Sequence, residues 1–270
     1  MIKNYFKVAL RNFRQHKLFT FINVIGLSIG ISTALVIYLI VNYDFTFDKF
    51  HKDSDRIYRV VTNFSFAGEP GYNGGVTGPL PDAVKNEVTG LTQSAPIFTS
   101  SYNVLIKQGN KTPERFKNEG GIVFTDGRYF DIFQYKWLLG SPKNSLNGPN
   151  QVVLTSLQAK KYFPHLKYRQ MLGRQVIYED TIKTTVTGVV QEFTENSDLT
   201  FTAFVSRETM RVNKGLKQGL EGWGGTTSNS QFFVKLAPGK TTISIERQMN
   251  ALLKKNNPPK PEDKGSTQDF

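Results

Sequence analysis

The chain has 270 residues, with 34 Lys and Arg against 22 Asp and Glu, three His and no Cys. That length allows one large domain or two modest ones; 39 % hydrophobic and 13 % aromatic content excludes a disordered chain, and a mean hydropathy below zero excludes a polytopic membrane bundle. Without Cys, disulfide scaffolds, thiol catalysis and zinc–thiolate sites are excluded.

The net charge of +12 invites a nucleic-acid reading, and its distribution argues against one. Residues 1–17 hold Lys3, Lys7, Arg11, Arg14 and Lys17 with no acid, and residues 18–43 hold no charge. The remainder carries 29 bases and 22 acids, thinly spread. A nucleic-acid-binding domain concentrates its cations on the folded part, whereas here the density sits beside an apolar run.

In the leading segment, Ile2, Tyr5, Phe6, Ala9, Leu10 and Phe13 share one side of a helix, with the cations opposite. Such a helix lies in the inner-leaflet interface, its cations toward anionic head groups. The run Leu18–Tyr43 is 26 consecutive uncharged residues, more than the roughly 20 needed to cross a bilayer. A signal peptide would have a shorter apolar region and a small-x-small cleavage site, and nine more mostly apolar residues follow Ala34 instead. The span is therefore read as a retained transmembrane helix. Gly26, Gly30 and Ala34 place small side chains four apart, a surface on which another helix can pack closely. Five bases before the span, and Asp44, Asp48, Asp53 and Asp55 after it, predict a cytoplasmic N-terminus and an extracytoplasmic remainder.

Past Asp44 the chain alternates strand-like and helix-like stretches. Arg56–Phe66 reads as a strand, with Arg56–Val61 internal and Tyr58 half-buried, and Gly68–Pro81 reads as a loop. Asp82–Val88 predicts a short helix, Ile97–Lys107 and Arg115–Phe124 strands, and Arg128–Phe133 a helical turn. Gln151–Leu154 reads as a strand and Ser156–Tyr162 as a helix capped by its serine. Gln175–Tyr178 and Thr184–Glu192 read as paired strands, Thr200–Ser206 and Ser230–Leu236 as further strands, and Thr241–Leu253 as a helix. Lys254–Phe270, with Pro258, Pro259 and Pro261, reads as a polar linker without a packed element, where the chain looks cut short. The class is mixed α+β.

No motif carries chemistry. GLSIG at Gly26–Gly30 spells a nucleophile elbow but sits mid-membrane, and the PGKTT around Gly239 lacks the first glycine of a phosphate loop, Val234 standing there. His16, His51 and His165 have no ligand spacing, and the pairs Asp53/Asp55 and Glu262/Asp263 read as solvated. No catalytic, cofactor-binding or metal residue is expected.

Taken in order, KVALRNFRQHKLFTFINVIGLSIGI (Lys7–Ile31), FDKFHKDSDRIYRV (Phe47–Val60), TDGRYFDIFQYKWLLGSP (Thr125–Pro142), QVVLTSLQAKKYFP (Gln151–Pro164), LGRQV (Leu172–Val176) and VTGVVQEFTENSDLTFTAFVS (Val186–Ser206) resemble the N-terminal half of an FtsX-like ABC transporter permease with a MacB-type periplasmic core domain. The resemblance implies a cytoplasmic segment at 1–17, a membrane helix at 18–43 and a core domain at 44–253 of two subdomains, one mixed α/β and one strand-rich. It implies a bacterial inner-membrane location, a partner ATPase reached through later membrane helices, a second permease copy and a periplasmic adaptor. The work implied is mechanical, with ATP-driven closure relayed outward to export substrate or act on a periplasmic partner. The alternative is a single-pass sensing or binding module.

Overall fold

The computed structural model describes residues 2–66, 68–107, 109, 112–259 and 266–270, with side chains from Asn4 onward. It divides into two units, Met1–Lys49 and Phe50–Phe270.

The first unit is two helices, α1 (Ile2–Gln15) and α2 (Lys17–Asp44), separated at His16. α1 leaves Tyr5, Phe6, Leu10 and Phe13 exposed. α2 has 28 residues, about 42 Å at 1.5 Å per residue, and is long and apolar enough to cross a bilayer; none of its residues is buried.

The second unit begins with a 3-10 turn at Ser54–Arg56, then β1 (Ile57–Val60), β2 (Thr62–Phe66), β3 (Glu69–Asn73), α3 (Leu80–Glu87), β4 (Leu91–Ile106) and β5 (Glu114–Thr125). Next come α4 (Gly127–Phe133), β6 (Trp137–Leu139), β7 (Gln151–Thr155), α5 (Ser156–Tyr162), α6 (Tyr168–Met171), β8 (Gln175–Tyr178) and β9 (Ile182–Val190). Last come β10 (Ala203–Ser206), α7 (Glu208–Val212), α8 (Lys214–Lys217), β11 (Ser230–Leu236), α9 (Thr242–Asn256) and β12 (Thr267–Asp269). The α+β class is borne out.

The strand ladders close on themselves. β4 pairs β5, β5 pairs β10, β10 pairs β7, β7 pairs β9, β9 pairs β8, and β8 returns to β4. This six-stranded ring hides its edges and encloses one core. Alternate residues point inward: Val104 and Ile106, Ile122 and Phe124, Val152 and Leu154, Val176 and Tyr178, Ala203 and Val205. The opposite parity, Val123, Val153 and Phe204, packs outside against Tyr129, Phe130 and Phe133 of α4. The curl comes from bulges in β5, where Tyr102 faces Glu119 although Ser100 faces Ile122, and Val104 faces Phe116. Gly121 (φ 69°) and Asn118 (φ 52°) supply the left-handed backbone there.

β4 is 16 residues long and serves two layers. Its first half pairs β11, which pairs β1, and α3 and α9 cover that layer through Leu80, Val84, Phe232, Val234, Ile245 and Met249. A separate three-stranded sheet runs β12-β2-β3.

Several expectations change. Arg56–Phe66 is two strands in different sheets, and β1 is an edge strand, not an internal one: it pairs β11 alone among the described residues, and Tyr58 is 41 % exposed. The loop at 68–81 contains β3. Thr155, not Ser156, caps α5, its hydroxyl accepting from the Gln158 N–H at 3.3 Å. The final segment is not a bare linker, because residues 254–256 extend α9, β12 pairs β2, and Phe270 is buried against Asn250.

One buried charge ties α3 to α7. Arg207, 5 % exposed, donates to Asp82 at 2.8 Å, and Arg211 donates to the other carboxylate oxygen at 2.8 Å. Burial raises the Asp82 pKa, but the Arg207 charge and the bonds from both arginines outweigh it and hold it below the usual value. Such a carboxylate stabilises the fold above the ordinary carboxylate range and loses that contribution as pH falls through its depressed pKa. Asp82→Asn should therefore flatten the acid limb of stability against pH, and cost about 2 kcal/mol near neutrality, below the roughly 3–5 of a fully buried pair because Asp82 is one-third exposed. Phe204→Ala should cost about 3–5 kcal/mol in denaturant unfolding, whereas Tyr58→Asp, at an exposed edge, should cost about 1 kcal/mol or less.

Candidate functional site

The segment that enters the folded unit, residues 50–56, is pinned by aromatic packing and by charge. Phe50 and His51 fit into a cluster on α4 and the stretch after β9. The His51 ring lies 4.1 Å from Phe50, 5.1 Å from Phe133 and 5.1 Å from Phe193 between centroids, and Phe193 stacks on Tyr135 at 4.0 Å. Asp126 caps α4, which carries Phe133, by accepting the Arg128 N–H at 3.0 Å. A cavity of about 300 Å³ opens beside the cluster, with Lys52, Lys136, Glu192 and Glu195 among its walls.

Glu192 forms part of the wall. Its carboxylate accepts from the Leu157 N–H and, at 2.7 Å, from the Ser156 hydroxyl at the start of α5. Burial raises its pKa, and these bonds outweigh burial, so the carboxyl stays charged below the usual range.

The electrostatic pin is Asp53. Its carboxylate meets the Lys235 ammonium at 2.9 Å and the Arg56 guanidinium at 2.9 Å. The bond from Lys235, then that from Arg56, hold its pKa below the usual value. Lys235 also donates to the Lys52 carbonyl at 3.0 Å, and Arg56 to the Leu236 carbonyl at 2.9 Å. Asp53 adopts φ 61°, a left-handed backbone that Asp tolerates better than most residues. Asp53 is thus bound within the fold, not solvated as expected, while Glu262 and Asp263 lie outside the described residues.

The sequence did not single out Lys235. Its one signal is a cation inside the apolar run QFFVKL, and only the return of residues 50–56 to β11 supplies its anion.

Among the residues expected to matter, Lys7, Arg11 and Arg14 are exposed on α1, and Lys17 opens α2. The side chain of Lys3 lies outside the described residues. Gly26, Gly30 and Ala34 lie on α2, all exposed, with nothing within 4 Å of where a Cβ on either glycine would stand. His51 is buried and His165 is exposed. The Gly239 turn joins β11 to α9 with Val234 inside the strand, and GLSIG is helix throughout.

A family model described as the MacB-like periplasmic core domain matches residues 20–252, which takes in most of α2 as well as the folded unit. The chain belongs to the MacB-like periplasmic core domain family. The family is one of transporter permease components, and the chain is a transporter component. A crystal structure of a domain assigned to a permease protein from Porphyromonas gingivalis is similar over 80 % of this chain and 87 % of that one, at 16 % identity and a TM-score of 0.63. The periplasmic region of MacB from Actinobacillus actinomycetemcomitans is similar over 79 % of this chain and 87 % of that one, at 18 % identity and a TM-score of 0.50. At these identities the likeness concerns the fold. No curated protein matches the chain.

Lys235→Met removes the ammonium from Asp53 and Lys52 while keeping the stem in the core. Hydrogen exchange of the Ser54 and Arg56 amides, which bond to the His51 and Asp53 carbonyls, should accelerate about tenfold. Amides of β10 should be unchanged.

Proposed function

We propose that the chain is the permease portion of an ABC transporter in the bacterial inner membrane, relaying an ATP-driven movement from α2 to an extracytoplasmic domain. The observation that carries the reading is the pinned entry segment. Residues 50–56 are fixed to α4 by rings and to β11 by Asp53 and Lys235, so a displacement of the helix exit is delivered to two layers of the fold.

In this reading residues 1–17 are cytoplasmic, 18–43 span the membrane and 44–253 form the periplasmic core. Lys7, Arg11, Arg14 and Lys17, with Lys3, rest on inner-leaflet phosphates and set the orientation. Gly26, Gly30 and Ala34 form the face on which another helix packs, in a dimeric permease. The ATPase and a periplasmic adaptor are the remaining partners, and no cofactor, catalytic group or metal takes part in the chain's own work.

In the assembled transporter, Lys235→Met should lower transport by about tenfold, within the range of a typical coupling energy, while basal ATP hydrolysis persists. Unchanged transport would overturn the relay. A reporter fused after Tyr43 should be active only if it works outside the cytoplasm. The chain alone should bind no ATP in calorimetric titration.

A further inference from the structure

The positive charge of the folded unit is not spread thinly after all. Ile132–Tyr178 is a run of 47 residues without Asp or Glu that carries five Lys and two Arg. Beyond Lys17, bases and acids elsewhere balance at 22 each, so this run accounts for the whole excess of the residues after the basic tail.

Folding gathers much of it around α5 and α6. Lys160 and Lys161 end α5, Lys167 and Arg169 lie at α6, and Arg174 follows it, all exposed. The Lys160 ammonium sits 5.9 Å from the centre of the Tyr168 ring, and Arg174 donates to the Gln170 carbonyl at 3.2 Å. Backbone bonds from Gly173 and to Arg174 fasten this turn to Val186 of β9. The acids that reach α5 are already engaged, Glu119 with Lys161 and Gln158, and Glu192 with the start of the helix. Among the described residues no carboxylate lies within ion-pair distance of Lys160, Lys167, Arg169 or Arg174.

We propose that this α5–α6 surface docks on an anionic lipid headgroup surface. Arg169 and Arg174 present planar guanidinium groups, the shape that takes a phosphate through two bonds. Leu172, 40 % exposed, stands among these cations and adds the apolar contact that an interface rewards. The unit is covalently joined to a helix able to span a bilayer, which keeps headgroups at high effective concentration. An acidic polypeptide would meet the same cations but would gain neither the tether nor the use of Leu172.

The test uses the full chain held in phosphatidylcholine nanodiscs and mixed with sedimentable vesicles. These are made of phosphatidylcholine alone, or of phosphatidylcholine with phosphatidylglycerol. The wild type should sediment with the anionic vesicles only, and less as salt rises. The variant Lys160→Gln/Lys167→Gln/Arg169→Gln/Arg174→Gln, which keeps the N-terminal cations, should lose about tenfold or more of that partition, each cation being worth about fivefold. Its unfolding midpoint should not move. Equal partition of variant and wild type, or equal sedimentation with neutral vesicles, would overturn the proposal. So would retention on poly-glutamate without sedimentation on anionic vesicles, which assigns the surface to an acidic protein.

Discussion

The folded unit depends on β4 belonging to two layers at once. Its second half must meet β8 on one side and β5 on the other to close the ring, while its first half must meet β11 to carry the α3–α9 layer. Both demands fall on one 16-residue strand, so its register has little freedom. A slip of one residue would turn Val104 and Ile106 out of the ring core and Ala95 and Ile97 out of the α4 layer. Bulges solve the geometric conflict. The extra residues fall in β5, at Gly121 and Asn118, where left-handed backbone lets one strand turn while the other keeps its phase.

The same logic repeats on the far side of the ring. In β9 the register shifts between Val186 and Gly188, and Gly188 approaches Trp137 so closely that a Cβ would stand 2.7 Å from its ring. That contact seats β6 on β9 and carries the chain on from α4. The aromatic cluster beneath residues 50–51 is therefore supported by the outer faces of the ring strands, through Phe204 and Val153. Closure of the core and position of the entry segment are coupled through α4.

Local elements were legible in the sequence because their causes are local. The 26-residue uncharged run, the alternation in Ser230–Leu236 and the punctuation around Gln151–Tyr162 each lie within one window. Ring closure was not legible, since Val104–Tyr178 and Ala203–Ile122 are pairings across some 75–80 residues with no signal but complementary parity. The split of Arg56–Phe66 escaped for a related reason. Val60 ends one ladder and Thr62 begins another, and nothing in RIYRVVTNFSF marks the change of partner. β12 was hidden among polar residues, its partner Asn63–Ser65 lying two hundred positions earlier. The pin was illegible for the same physical reason, because a lone Lys in a strand and an Asp in a turn acquire meaning only when brought to 2.9 Å.

Lys235 also occupies the position at which the clamp and the first ladder coincide. Its backbone is the partner of Ile57, the first residue of β1, while its side chain holds Asp53 and the Lys52 carbonyl. The next residue, Leu236, receives Arg56 at its carbonyl and buries its side chain under α9. Any load entering through residues 50–56 therefore meets strand β11 before β1 can peel from it. An edge strand alone is weakly held, since its outer side lacks a ladder and it can be stripped one bond at a time. With the entry turn fastened to β11 by charge, load passes instead across β11 to β4 along several bonds at once. β4 then distributes it to the ring and to the α4 layer together. A pair of residues on β11 thus makes the exposed edge a workable place for a helix able to cross a bilayer to join the fold.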